Sequence, residues 1–122
     1  GGGLLDQSFL IAESFLPKDK LVLYTQGRHF PQKNYFTTKD GEFKNMEVTV
    51  LVDQNSASAS EILAGALQDW DKSTTVGRRT FGKGLVQHEI ELPDRSAFRL
   101  TIARYYTPTG RCIQKPYSYS TD

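Results

Sequence analysis

Residues 47–70 constrain this chain more than any other stretch. The first seven, Glu-Val-Thr-Val-Leu-Val-Asp, are β-branched and turn apolar on both faces toward their end, the pattern of a central strand buried on both sides. Asn55-Ser56-Ala57-Ser58-Ala59-Ser60 comes next, small and cap-forming, and Ile62, Leu63, Ala66, Leu67 and Trp70 then recur at helical spacing. A strand, a tight turn and a helix in that order are the unit from which α/β and α+β layers are built.

The remaining segments fit around this unit. Leu4, Leu5, Phe9, Ile11, Ala12, Phe15 and Leu16 keep a near-helical period closed by Pro17, which predicts a helix over 4–16 behind the triplet Gly1-Gly2-Gly3. Residues 21–25 read as a strand, and 27–43, with Gly, Pro, Asn and an Asp40-Gly41 pair, as a loop containing a hairpin turn. Residues 77–84 form a glycine- and arginine-containing loop, 85–92 a strand, Pro93-Asp94-Arg95-Ser96 a turn and 97–106 its antiparallel partner. The tail from Thr107 is irregular. A length of 122 residues suits one domain.

Composition removes several function classes. Fifteen basic against fourteen acidic side chains leave a net charge of +1, without the cationic field that nucleic-acid binding needs. With 38% hydrophobic and 24% charged residues the chain lies in the folding range. No apolar run approaches the roughly eighteen residues of a membrane span, and the first residues lack the basic and apolar stretches of a signal peptide. The single cysteine, Cys112, rules out an internal disulfide, and with His29 and His88 it supplies too few ligands for a zinc site.

Two segments carry candidate chemistry. The serines of residues 56–60 stand at the positive end of a helix dipole, where an attacking alkoxide and an oxyanion are both stabilised. Serines are also the commonest helix N-caps, so the turn alone does not decide between catalysis and capping. The second segment is Thr80-Phe81-Gly82-Lys83-Gly84, in which flanking glycines let the lysine backbone approach another segment closely. A lysine can serve as general base once its pKa falls from about 10.4 to near 7, a shift of roughly 4 to 5 kcal/mol that requires burial away from carboxylates. If a strand follows, Lys83, Leu85 and Gln87 share a face, and the neutral Gln87 amide orients the amine without holding it protonated. An exposed loop lysine is the plain alternative. Residues 77–84 also approach a phosphate-binding loop, but Gly84 replaces the required hydroxyl and a strand replaces the helix, so nucleotide binding is set aside. Asp69 lies eleven positions after Ser58 on the same helix, about 16 Å away at the helical rise, and takes a structural role. His29 and His88 have no evident serine partner. Three glycines before a helix can form an oxyanion cradle or a flexible start, and composition leaves both open.

The run Val52-Asp53-Gln54-Asn55-Ser56-Ala57-Ser58-Ala59-Ser60-Glu61-Ile62, followed by Val76-Gly77 and Thr80-Phe81-Gly82-Lys83-Gly84-Leu85-Val86-Gln87, resembles the C-terminal processing (tail-specific) peptidases. The resemblance extends over almost the whole chain, including residues 100–111 downstream. It implies Ser58 as nucleophile, Lys83 as its base and Gln87 as the third member. It also implies an oxyanion hole from the Ala59 N–H and a glycine of the Gly1-Gly2-Gly3 segment, Gly2 or Gly3. Asp69 matches an aspartate of that family. The implied fold is α/β, a mixed sheet with flanking helices like the crotonase and Clp-protease-like core. The implied substrates are polypeptides with unstructured, rather apolar C-termini, in a bacterial periplasm or envelope, with no cofactor. Family members are longer, with an upstream region and usually a PDZ domain, so residues 1–122 are expected to be one domain, a fragment of the catalytic core lacking both. A homo-oligomer stays open. The competing reading is a catalytically silent interaction fragment whose serine and lysine are not assembled.

Overall fold

A computed structural model describes residues 2–116 of the chain. In chain order the elements are helix α1 (Leu5–Phe15), strands β1 (Leu21–Gly27), β2 (Phe30–Phe36) and β3 (Val48–Val52), helix α2 (Ala59–Asp69), and strands β4 (Ser73–Gly77), β5 (Leu85–Glu91) and β6 (Ala97–Tyr106). The result is the expected α/β arrangement with parallel and antiparallel pairing. Four antiparallel strands run in the order β2-β1-β6-β5, and β3 pairs in parallel with β4.

The two helices form where the apolar period lies. Helix α1 ends at Phe15, and the cap residue Leu16 is extended, with φ −113° and ψ 154°, which suits the residue before Pro17. Ala12 from α1, Leu16 just after it, Val22 and Leu23 from β1, and Ile62, Ala66 and Leu67 from α2 form one buried cluster. Val48 and Val50 of β3 pack against it from the side. Buried Glu13 accepts hydrogen bonds from the Thr38 backbone (2.7 Å) and hydroxyl (2.9 Å), which ties the 37–41 segment to α1. None of the described helices is long and apolar enough to cross a membrane.

Three expectations need correction. Residues 27–43 contain β2, and the hairpin turns at Arg28-His29. β2 escapes sequence reading because it is an exposed edge strand, Phe-Pro-Gln-Lys-Asn-Tyr-Phe, with no apolar alternation. Asp40-Gly41 does not make the turn: a side chain at Gly41 would come within 2.4 Å of the Glu13 and Ser14 carbonyl oxygens. β4 was also unanticipated, its Ser-Thr-Thr-Val-Gly being short and half polar. Finally, β3 is not buried on both faces, because among the described residues it pairs with β4 alone and Leu51 is 78% exposed.

Candidate active site

The turn between β3 and α2 places Ser58 in an uncommon conformation. Its φ of 55° and ψ of −118° match the first central position of a type II′ turn, normally a glycine position, and the Ser60 N–H closes that turn on the Ala57 carbonyl at 3.1 Å. An ordinary N-cap residue keeps an extended backbone. Ser58 therefore occupies the N-cap of α2 in a strained form of the kind that collects at functional turns. Ala59 is the first residue of α2 and is buried, in the stretch whose N–H groups a helix does not use internally.

The lysine loop is bound to this turn through the backbone. Arg78 N–H donates to the Val52 carbonyl (3.1 Å) and Phe81 N–H to that of Ser56 (2.9 Å). Glu61, buried in the first turn of α2, then joins both halves: its Oε2 accepts from Ser58 N–H and Lys83 N–H, each at 2.9 Å, while its Oε1 accepts from Gly82 N–H. The serine turn and the lysine loop thus meet on one carboxylate oxygen. Removing that carboxylate would leave three backbone donors without a partner, at about 1 to 3 kcal/mol each where they are buried. Sequence reasoning assigned Glu61 no role, although the Ser58-x-x-Glu61 spacing of a capping box was its visible signal.

The two glycines around Lys83 do admit a close neighbour, and it is the chain's own segment 112–116. A side chain at Gly82 would lie 2.6 Å from the Lys115 Cβ, and one at Gly84 would lie 2.6 Å from the Ile113 Cβ. Lys115 N–H donates to the Gly82 carbonyl at 2.9 Å, and Gly84 N–H donates to the Gln114 side-chain oxygen at 3.0 Å. A cleft of about 360 Å³ lies against this loop, lined by Glu61, Gly82, Arg78, Arg79, Gln114 and Lys115, and Ser58 is not on its wall.

The side chains are less closely gathered than the backbone. Lys83 is exposed, so the expected burial of its amine is not found in this chain, and among the described residues no hydrogen bond or ion pair engages that amine. The loop projects it from a segment held through its backbone groups. Lys83 also precedes β5, which starts at Leu85, so it shares no strand face with Gln87; the pairing of β5 with β6 shifts register between Val86 and Gln87, and Gln87 is exposed. Gly2 lies beside the turn, where an added side chain would be 3.5 Å from the Ala57 carbonyl oxygen, and Gly3 links it to α1. Gly1 lies outside the described residues. His88 rests edge-on against Phe30 across the antiparallel sheet.

Asp69 has the structural role expected of it. Its Oδ2 accepts from the Thr109 backbone (3.0 Å) and hydroxyl (2.7 Å), and its Oδ1 from the Arg111 guanidinium. Burial pushes this carboxyl up, but hydrogen bonds from Thr107, Thr109 and Arg111 outweigh it and hold the group below the usual carboxylate range.

Residues 1–118 match the sequence profile of Peptidase family S41. The carboxy-terminal-processing protease of Bartonella bacilliformis is 46% identical over 114 residues, covering 93% of this chain and 26% of the relative. The carboxyl-terminal-processing protease of Synechocystis shows the same identity and coverage. Among solved structures, a photosystem II D1 C-terminal processing protease superposes with a TM-score of 0.86 at 36% identity, over 93% of this chain and 29% of that one. Fold, strained serine turn and these likenesses together define a peptidase scaffold. The chain belongs to peptidase family S41, and it spans about a quarter of the length of these two curated relatives.

Proposed function

We propose that this chain is a single-domain part of the catalytic core of a C-terminal processing serine peptidase. Lys83 takes the proton of the Ser58 hydroxyl, and the Ser58 oxygen attacks a peptide carbonyl. The resulting oxyanion accepts from the Ala59 N–H and from a glycine N–H, Gly2 or Gly3. Collapse expels the amine with the proton returned by Lys83, and water releases the acyl group by the same route. Gln87 orients the lysine amine. The observation that carries this reading is the φ of 55° at Ser58, a strained backbone that capping does not require. The shared Glu61 oxygen supports it by tying the serine turn to the lysine loop. Water must be excluded from the exposed Lys83 when substrate binds. The proposed substrates are polypeptides with unstructured, apolar C-termini, the proposed setting is a bacterial periplasm or envelope, and the proposed reaction uses no cofactor; membership of the peptidase family supports the polypeptide substrate.

The test is mass-spectrometric detection of cleavage of a peptide with an unstructured apolar C-terminus. Cleavage is expected to disappear in both Ser58→Ala and Lys83→Ala, and cleavage that survives Ser58→Ala overturns the mechanism. One observation favours the silent-fragment reading, namely the exposed Lys83 with no hydrogen bond to Ser58 among the described residues. It predicts peptide binding that Ser58→Ala leaves unchanged, with no cleavage by the wild type.

A further inference from the structure

The loop that carries Lys83 has no secondary structure of its own, yet its three consecutive amides are all held by side-chain oxygens. Gly82 N–H goes to Glu61 Oε1, Lys83 N–H to Glu61 Oε2, and Gly84 N–H to Gln114 Oε1. Glu61 holds the loop from the serine side. Gln114 holds it from the opposite end of the sequence, thirty residues on. We propose that Gln114 is a positioning residue for Lys83, fixing the direction in which the lysine leaves the backbone. The assignment rests on the Ser58–Lys83 reading given above and deepens it.

The argument is one of geometry. Gly84 is buried, so its N–H has no water to fall back on and needs a built acceptor. Gln114 supplies it at 3.0 Å and is itself oriented by its Nε2 donating to the Lys115 carbonyl at 3.2 Å. The strap around Gln114 is anchored on both sides, by Ile113 N–H on the Tyr105 carbonyl (3.2 Å) and Lys115 N–H on the Gly82 carbonyl (2.9 Å). The Gly84 carbonyl in turn accepts from Tyr105 N–H at 2.8 Å, so residue 84 is fixed through both of its backbone groups. A lysine following a left-handed Gly82 (φ 90°) and preceding a clamped Gly84 has little freedom in its own backbone. Its side-chain direction follows from that constraint, and a misplacement of about 1 Å at a reacting group costs on the order of 100-fold in rate.

The experiment compares Gln114→Met, which keeps length and removes the acceptor, with the wild-type chain. Amide hydrogen exchange by NMR reads the clamp independently of activity. Gln114→Met is expected to speed exchange at Gly84 at least tenfold while Leu23 and Ile62 in the core stay protected. In the cleavage assay Gln114→Met is expected to lower kcat at least tenfold, with KM changed less than about twofold. Unchanged Gly84 exchange in Gln114→Met overturns the clamp. Faster exchange with unchanged kcat overturns the positioning role and leaves the Ser58–Lys83 reading standing. Cleavage that is independent of Ser58 and Lys83 overturns that reading, and the positioning role with it, whatever the exchange result.

Discussion

Ser58 holds φ 55° and ψ −118°, a combination open to glycine and costly to every residue with a Cβ, by about 1 to 3 kcal/mol. The strain lies in the backbone and is separable from the hydroxyl. Ser58→Gly is therefore expected to raise unfolding free energy by about 1 kcal/mol while removing the proposed nucleophile, whereas Ser58→Ala keeps the strain and brings no such gain. Urea denaturation of the three proteins checks this. Equal stability of the glycine and alanine variants would mean that the turn stores no strain at this residue. The serine itself was legible in the sequence because its neighbours are a strand and an amphipathic helix. Its conformation was not, since nothing in Ala57-Ser58-Ala59 announces a turn position normally held by glycine.

Elements are joined here by polar side chains that reach between distant segments, and this is where sequence reading is weakest. The helix-period and strand-run signals gave α1, α2, β5 and β6 closely, because each buries a patterned face or pairs with an adjacent strand. Glu61 to Lys83 and Gln114 to Gly84 are contacts across 22 and 30 residues, and no local pattern encodes the second. Asp69 is a third such tie, holding the end of α2 to Thr109 and Arg111. Its carboxyl lies below its ordinary value of 3.8 in the folded chain, so the stabilisation it gives is complete above that value and is lost as pH falls through the folded value. Asp40, through the Lys18 backbone and the Lys44 charge, and Asp94, through Ser96, are lowered too, so acid loss of stability is not Asp69's alone. The variant isolates its share. Asp69→Asn is expected to cost about 1 to 3 kcal/mol at pH 7 and progressively less below pH 4, measured by urea unfolding at both. A cost that does not change with pH would assign the effect to packing.

At the scale of the whole molecule, the parallel pair β3-β4 is left partly uncovered among the described residues. Parallel strands are ordinarily covered on both faces, and the apolar run that announced β3 as central is what a strand with two covered faces requires. In this chain one face of the pair packs on the core through Val48 and Val50. The other presents Leu51 at 78% and Val76 at 48% exposure, register partners side by side in the ladder. Strand type is thus legible in the run and environment is not, because periodicity reports what a strand can bury and not what is there to bury it. Two adjacent apolar side chains beside an open strand edge form a surface on which chains associate. Sedimentation velocity is expected to show self-association rising with concentration for the wild-type chain. Leu51→Lys, which sets a charge in the middle of the patch without touching the buried cluster, is expected to return it to monomer with little change in unfolding free energy. A wild-type chain that stays monomeric up to about 100 μM would show that this face, though apolar, is too small to hold a second copy.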